Sequence, residues 1–527
     1  MHRTIPDVLL AAADREPDGL WLRTDGCRLS FGAAAAWVAQ AAARLQAEGI
    51  RYGDLVVLTA RNTPQYLVAL LGVTSVGAIA APTNPAGSHA ELTGLIAQVE
   101  PRAVISDAEL RPRLRTDEDP APAWRLLDIH EVAGEQPPPA GNLEPLRLAT
   151  PAADDVAVLI PTSGTTGRSK LVTQTHRAYA MAAEGFPYWM GLTRDDVLMT
   201  SLPLFHINAP AYSVLGSLAC GGGLVLLPRF SASGFIDAAR RHGATEFNAI
   251  GAMLEMLMRQ PERPDDADTP LRLCYAGPSP TQERQEEIER RFDLRIICGY
   301  ALSESPYGLI WAHGSRPFGT LGTPRQHPQL GTVNHARAVD EDGRDVAVDA
   351  TGELMLRNPT VTRGYWGMPD ETATLVVDGW LHTGDLVTRN ADGTYTFVSR
   401  KKEVIRRRGE NLSPLDVEEV LDEHPAVLES AVVGVPSDLS EEDVKAFVVA
   451  VGGTALDFHE IATFAAARLS AFKVPRYWQA LAALPRTPTG RVAKPQLPEG
   501  HPDGEVDLAG AHPSGAPGES STPEDEP

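Results

Sequence analysis

The chain of 527 residues is 43% hydrophobic and 22% charged, the composition of a soluble globular protein long enough for more than one domain. Its formal net charge of -22 argues against nonspecific nucleic-acid binding, and no nucleic-acid partner is expected. Cys27, Cys220, Cys274 and Cys298 are isolated, lack metal-ligand spacing and read as buried free thiols in a reducing compartment.

Met1-His2-Arg3-Thr4 leads into an acid-containing segment without a signal-peptide hydrophobic stretch. The apolar run 67–81 is too short for a normal membrane span and contains Gly and Ser, so a cytoplasmic protein without a membrane span is expected. Residues 6–48 have the spacing of amphipathic helices around a turn at Gly26. A strand is predicted at 55–58, a helix at 63–71, and a buried strand at 76–81 ended by Pro82 and Pro85. Residues 107–142, charged and Pro-rich, predict a surface excursion or loose connection.

Further on, residues 177–189 read as a helix, 197–202 as a strand, 221–227 as a turn and strand, and 235–242 as a helix. Strands follow at 246–250, 271–275 and 294–297, each ending at a small or polar turn, where open parallel sheets place their active residues. From Gly352 the segments are short and β-rich. Beyond Arg400 the pattern is compact and mixed: helix 417–421, strands 427–435 and 444–449, helix 461–469. The expectation is an α/β fold: a large N-terminal domain, 1–401, with mixed sheets and flanking helices, and a small α+β C-terminal domain, 402–500. Residues 501–527, mostly Gly, Pro, Ser, Asp and Glu, predict a disordered tail.

The most informative stretch follows the apolar positions 156–160: Pro161-Thr162-Ser163-Gly164-Thr165-Thr166-Gly167-Arg168-Ser169-Lys170. Gly164 and Gly167 let the backbone turn tightly and bring amides close to a ligand. Ser163, Thr165 and Thr166 add hydroxyl donors, and Arg168 and Lys170 add positive charge, chemistry suited to a polyphosphate. The spacing is not that of a Walker loop, and these residues alone also read as a polar surface turn. PTSGTTGRSK resembles the phosphate-binding signature of the adenylate-forming superfamily, which comprises acyl- and aryl-CoA ligases, peptide-synthetase adenylation domains and luciferases. In appearance the chain is closest to acyl-CoA or carnitine-CoA ligase-like members. The resemblance implies a mobile C-terminal catalytic lid, an ATP site at the domain junction, and phosphate contacts from Thr162, Ser163, Gly164, Thr165, Thr166, Gly167 and Lys170.

Other motifs read differently alone and beside that family. His206, in PLFHINAP, would alone be a packed histidine; the resemblance places it at the carboxylate pocket as a positioning group. Gly299-Tyr300-Ala301-Leu302-Ser303-Glu304 follows a strand, as does Ala276-Gly277-Pro278, and small residues there permit close approach of a flat ring. GYALSES resembles the Tyr-Gly-x-Thr-Glu element, implying adenine contact for Tyr300, phosphate contact for Ser303 and Mg2+ at Glu304. Ala301 departs from the usual glycine and reshapes the acyl pocket. Asp385, in HTGD, resembles the acid that accepts from the ribose hydroxyls, and otherwise is a solvated turn acid. SRKKE resembles the junction motif, which puts a ribose contact at Arg400 and the hinge at Lys402. Arg406-Arg407-Arg408-Gly409 resembles the loop beside the pantetheine channel, Gly409 giving passage and the arginines meeting CoA phosphates.

PRTPTGRVAK resembles the C-terminal catalytic loop, except that Arg491 stands where that family has a lysine bridging the carboxylate and the α-phosphate. Lys494 matches a second basic position of the family. The expected function is therefore an acyl- or aryl-CoA ligase, an acid-thiol ligase using ATP, Mg2+ and coenzyme A through an acyl-adenylate, with adenylation weakened by Arg491. Three alternatives remain: a non-adenylating enzyme transferring a preformed acyl-adenylate supplied by another enzyme, a free-standing adenylation enzyme loading a carrier protein, and a noncatalytic nucleotide-binding module. The acid is expected to carry a substantial apolar body, surrounded by His206, Asn208, Asn248, Gly251, Gly277, Tyr300 and Ala301.

Overall fold

The computed structural model describes residues 4–114, 123–138, 151–162, 170–277, 280–312, 314–407, 410–437, 442–452, 454–487, 491–499 and 504–508. The chain divides into two compact units, Met1–Phe397 and Val398–Pro527. The large unit is mixed α/β, and the small one is α+β.

The large unit opens with helix Ile5–Arg15, started by a capping box in which Thr4 and Asp7 each satisfy the other's backbone N–H. A hairpin, Leu20–Arg23 with Arg28–Ser30, then separates it from helix Phe31–Ala47. The helical spacing of 6–48 concealed this hairpin because its support is tertiary: Leu22 and Arg23 pair in parallel with Leu224 and Val225, some two hundred residues on. The first of two main sheets has the strand order 125–128, 103–106, 55–59, 79–82, 156–162, 170–175, parallel until the last pair. Helix Pro64–Ser75 is buried at every position from Tyr66 to Ser75. That burial explains an apolar run with no polar face. No described helix is long and apolar enough to cross a membrane.

Two expectations need correction here. The strand predicted at 76–81 forms at Ile79–Pro82, because Val76 caps the preceding helix. The Pro-rich excursion is partly ordered: Arg125–Asp128 is the edge strand of the sheet, and helix Ile129–Ala133 receives Trp37 Nε1–H on the Ala133 carbonyl at 2.6 Å. Charge on the edge residues masked a strand with one buried position, Leu127.

The second main sheet has nine strands in the order 323–324, 305–310, 295–302, 273–276, 246–249, 197–200, 223–226, 20–23, 28–30. Its interior strands run parallel from 223–226 to 295–302, after which the chain folds straight back as 305–310. An antiparallel group built on 335–339, 351–357 and 380–389 completes the unit. All four cysteines are free; Cys274 and Cys298 are buried, whereas Cys27 and Cys220 are half-buried.

The small unit is a four-stranded sheet, 427–436, 442–450, 477–481 and 506–507, carrying helices Pro414–Asp422 and Phe458–Ala466. Val417, Leu421, Val432, Val444, Ile461 and Trp478 form its core. The expected disordered tail is corrected over 504–508. Val506–Asp507 pairs with Tyr477–Trp478, Glu505 meets the fully buried Lys445 at 2.5 Å, and Asp507 meets Arg476 at 2.9 Å. A tail-wide composition averages away so short a strand. Residues 509–527 lie outside the described residues.

His176, the first residue of helix His176–Met190, is buried and accepts from Ile5 N–H at its Nδ1, 3.3 Å away. Burial pushes its pKa down to about 4 from 6.5, against the opposing pull of Asp155 and Asp7. Between those values the unfolded chain holds a proton that the folded chain does not, so stability falls as pH drops through this window. Urea unfolding of His176→Gln should lose about 3 kcal/mol less stability between pH 7 and pH 4 than the parent does. Parallel stability profiles for the two proteins would contradict this.

Candidate active site

Four adjacent parallel strands, 197–200, 246–249, 273–276 and 295–302, carry candidate residues at or just beyond their carboxyl ends. Beyond Thr200 the loop is fixed by Asn62, which donates to the Leu202 carbonyl at 2.9 Å and accepts from Leu204 N–H at 3.1 Å. This loop presents half-buried His206, whose ring lies 4.5 Å from that of Phe205. Asn208 follows and accepts from Asn248 Nδ2 at 2.6 Å, joining the first two strands. Asn248 is fully buried, and its Oδ1 has no hydrogen-bond partner among the described residues. Gly251 begins helix Gly251–Met258 beside it. At the third strand a Cβ on Gly277 would lie 2.6 Å from the Gly299 carbonyl oxygen. The glycine is therefore required by the neighbouring backbone, one residue before Tyr300.

Behind these ends sits Arg325, fully buried and, among the described residues, without a carboxylate partner. Its Nε donates to the Leu309 carbonyl at 3.0 Å, and Nη1 to the Tyr212 hydroxyl at 2.7 Å and the Pro306 carbonyl at 3.1 Å. Nη2 donates to the Tyr275 hydroxyl. Trp189, Tyr212 and Tyr275 present their rings to it at 4.8, 5.3 and 5.3 Å. Burial works against the charge, but the two tyrosines outweigh it and hold the guanidinium pKa above its usual value.

Ser303 and Glu304 are the tight turn between strands Arg295–Leu302 and Ser305–Ile310. Gln174 fixes the turn by donating to the Ser303 carbonyl at 2.6 Å, and Thr362 N–H donates to that of Glu304 at 2.7 Å. Glu304 Oε1 accepts from the Tyr365 hydroxyl at 3.0 Å, and the Tyr365 ring lies 4.5 Å from Lys170 Nζ. Lys170 pairs with Thr162 across the neck of the hairpin Val156–Thr162/Lys170–Thr175. The segment this neck closes, Ser163, Gly164, Thr165, Thr166, Gly167, Arg168 and Ser169, lies outside the described residues. The structure thus joins a cation of the glycine-rich stretch to the Ser303-Glu304 turn through Tyr365, a residue that sequence reasoning missed. Its one signal is an aromatic pair between glycines, Gly364-Tyr365-Trp366-Gly367.

Among the described residues no group of three or more His, Cys, Asp or Glu gathers into a metal cage. Glu304 nevertheless fits Mg2+, which takes one or two protein carboxylates and completes its shell from phosphates and water. A bound Mg2+ would neutralise phosphate charge.

Asp385 does not follow a simple turn. It lies inside strand Trp380–Arg389, where the pairing with Thr351–Arg357 slips between Glu353 and Met355. This bulge puts Gly384 at φ 69 and is held by Thr383 Oγ1 donating to the Leu354 carbonyl at 2.6 Å and by Gly384 N–H donating to Glu353 at 3.1 Å. Bulges re-aim side chains beside functional sites. Here the bulge delivers the buried Asp385 carboxylate to the Tyr300 hydroxyl at 2.6 Å. An aromatic face and an ionisable acceptor thereby stand side by side, an arrangement that can receive a base and its sugar hydroxyls.

In the small unit Arg400 ends strand Tyr395–Arg400, and Lys402 lies in the single turn Lys401–Glu403, its side chain outside the described residues. Gly409 and Arg408 are likewise outside them, as is the side chain of Arg406. Arg407 is committed within the unit: it donates to Asp443 at 2.9 Å and to the Phe472 and Val474 carbonyls at 3.0 and 2.8 Å. Residues 485–487 and 491–493 are joined by Thr487 N–H donating to the Arg491 carbonyl and Ala493 N–H to that of Pro485, both at 2.7 Å. Arg491 is exposed there. Lys494 forms an ion pair with Glu418 at 2.7 Å.

The AMP-binding enzyme family matches residues 9–366, and its C-terminal domain matches residues 416–491. The chain belongs to the AMP-binding enzymes. It is thus a member of the adenylate-forming superfamily, related to acyl-, aryl- and carnitine-CoA ligases. A crotonobetaine/carnitine–CoA ligase of Salmonella agona (strain SL483) is 30% identical over 470 residues, covering 85% of this chain and 89% of that protein. ATP-bound MatB from Rhodopseudomonas palustris is 26% identical and superposes with a TM-score of 0.84 over 94% of this chain and 98% of that one. The anthranilate CoA ligase AuaEII, crystallised with anthranoyl-AMP, shares the fold at 22% identity and a TM-score of 0.83, over 93% of this chain and 95% of that one.

Tyr365→Phe removes a hydrogen bond to the Glu304 carboxylate while keeping the ring beside Lys170. Its expected effect is to raise the Mg2+ concentration needed for half-maximal ATP binding about tenfold, with thermal stability little changed. A Mg2+ titration of nucleotide binding checks this.

Proposed function

We propose that this AMP-binding enzyme is an acyl- or aryl-CoA ligase whose adenylation half-reaction is slow relative to thioester formation. The observation that carries the adenylate reading is the 2.6 Å bond between Tyr300 and Asp385, because it sets an aromatic wall and a buried carboxylate within the span of one nucleoside. Coenzyme A as acceptor is supported by the Salmonella relative and by AuaEII, which are named as CoA ligases. In the first step the acid's carboxylate oxygen attacks the α-phosphorus of ATP, the bond to the β-phosphate bridge breaks, and pyrophosphate leaves. In the second the CoA thiol loses its proton to solvent and its sulfur attacks the acyl carbon, expelling AMP.

In this reading Lys170, Ser303 and the glycine-rich residues meet the phosphates, Tyr300 covers adenine, and Asp385 and Arg400 hold the ribose. His206, Asn208, Asn248, Gly251, Gly277, Tyr300 and Ala301 surround an acid with a substantial apolar body. Since Arg407 is occupied by Asp443, the CoA phosphates fall to Arg406 or Arg408, with Gly409 beside the pantetheine arm. Lys402 is the proposed hinge.

The imbalance between the half-reactions is argued from Arg491. A guanidinium keeps the charge of the family's lysine, but it is planar, larger and approaches oxygens differently. A misplacement of about 1 Å costs on the order of 100-fold in rate. Lys494 is held by Glu418, whose same oxygen also accepts from Val432 N–H at 2.7 Å, and so is not a ready replacement. In the extreme form, a separate enzyme supplies the adenylate and this chain performs only the transfer.

Separate assays test this: ATP plus acid for pyrophosphate exchange, and synthetic acyl-adenylate plus CoA for thioester. Arg491→Lys should speed the first by at least about tenfold and leave the second within about twofold. Fast adenylation by the parent, unchanged by the substitution, would sink the imbalance. Lys402→Pro should slow the overall reaction more than either half-reaction alone; equal effects on all three would remove the hinge role.

A further inference from the structure

A second concavity lies at the opposite edge of the nine-stranded sheet, where Leu273 and Arg295 begin the strands that end near Gly277 and at Leu302. It has a volume of about 280 Å³. Arg272 and Arg295 line it together with Met190, Ile297, Trp311 and Ala312, and among the described residues no carboxylate does. Two guanidiniums in one apolar cleft stand out on a chain of net charge -22.

Both cations retain unused donors. Arg272 turns one edge to Asp196, at 2.8 to 3.0 Å, and no hydrogen bond from its Nη1 forms among the described residues. Asp196 is itself saturated by Thr193 N–H and the Thr245 hydroxyl, both at 2.8 Å, so it does not reach a second cation. Arg295 donates from Nη2 to the Ser315 carbonyl at 3.0 Å and forms no ion pair among the described residues. Its Nε is buried with no acceptor among them. Glu246, the nearby acid on the adjoining strand, does not line the cleft: it is fully buried, and desolvation first, then Asp196, pushes its pKa well above the usual carboxylate range. On the apolar side the Trp311 N–H is already given to the Thr320 carbonyl at 2.8 Å, leaving only carbon surface.

We propose that this cleft is a second binding site for a small organic anion, a carboxylate or phosphate monoester on a single ring or a branched acyl body, separate from the adenylate site. The volume is just below the range of drug-sized pockets, roughly 300–1,000 Å³, which restricts the ligand to a small one. The paired guanidiniums select an oxyanion, and Met190, Ile297 and Trp311 select the apolar body. The inference rests on the cleft alone and stands whether or not the CoA-ligase reading holds.

The test uses the full chain labelled with 5-fluorotryptophan, the Trp311 resonance being assigned by its loss in Trp311→Phe. Benzoate, phenyl phosphate, inorganic phosphate and the neutral benzyl alcohol are titrated separately. Benzoate or phenyl phosphate should shift that resonance saturably. Arg295→Gln and Ala312→Phe, the first removing a charge and the second filling the rim, should each weaken the effect about tenfold or more. Benzyl alcohol should bind at least about tenfold more weakly than benzoate. No saturable shift below about 10 mM overturns the proposal, as does a shift that survives both substitutions, which would place the anion elsewhere. Equal binding of benzyl alcohol would remove the anion-selective half of the inference, and equal binding of inorganic phosphate the apolar half.

Discussion

A buried guanidinium that has no carboxylate partner among the described residues governs the candidate site. Arg325 touches strand 273–276 through Tyr275, strand 305–310 through Pro306 and Leu309, and the segment after His206 through Tyr212. It also crowds Gly299, where an added Cβ would lie 2.8 Å from Nη2. Burying a lone charge costs several kcal/mol unless hydrogen bonds and polarisable faces replace water. Here two hydroxyls, two carbonyls and three aromatic rings do so, and each belongs to an element that presents a candidate residue or supports one. Because neutral partners replace a counter-ion, the charge stays within the scaffold and is not directed into the site.

The parallel part of the fold was legible because each unit there is local. Helix Phe235–His242 forms at its expected residues, and strand Glu246–Ala249 is one residue shorter than expected. Apolar runs of four residues bounded by turns carry that signal without help from distant chain. Where pairing is distant, the signal fails. Hairpin Leu20–Ser30 depends on a strand around residue 224, and Arg125–Asp128 on one around residue 104.

For the candidate site, the sequence names residues but not the geometry that joins them. The Thr383-Gly384-Asp385 stretch reads as a turn because it contains glycine; only the partner strand reveals a bulge inside continuous pairing. Tyr365 was invisible for a related reason. Its significance comes from Glu304 and Lys170, which lie 61 and 195 positions away in the chain, and no spacing rule joins three such residues. The arginine run 406–408 shows the reverse case. As sequence its members are equivalent, but Asp443 and two carbonyls draw Arg407 into the packing of the small unit.

The short strand Val506–Asp507 bears on biogenesis. Lys445 is fully enclosed, and its partner Glu505 is synthesised sixty residues later, after the whole of the 485–493 stretch. A lysine enclosed without its counter-charge is disfavoured by several kcal/mol. The large unit has all its strands by residue 400 and can mature as an independent body during translation. The small sheet instead lacks its edge until residues 505–507 have left the ribosome. Its closure therefore follows that of the large unit, and the nascent small unit remains open to chaperones after the large one has set.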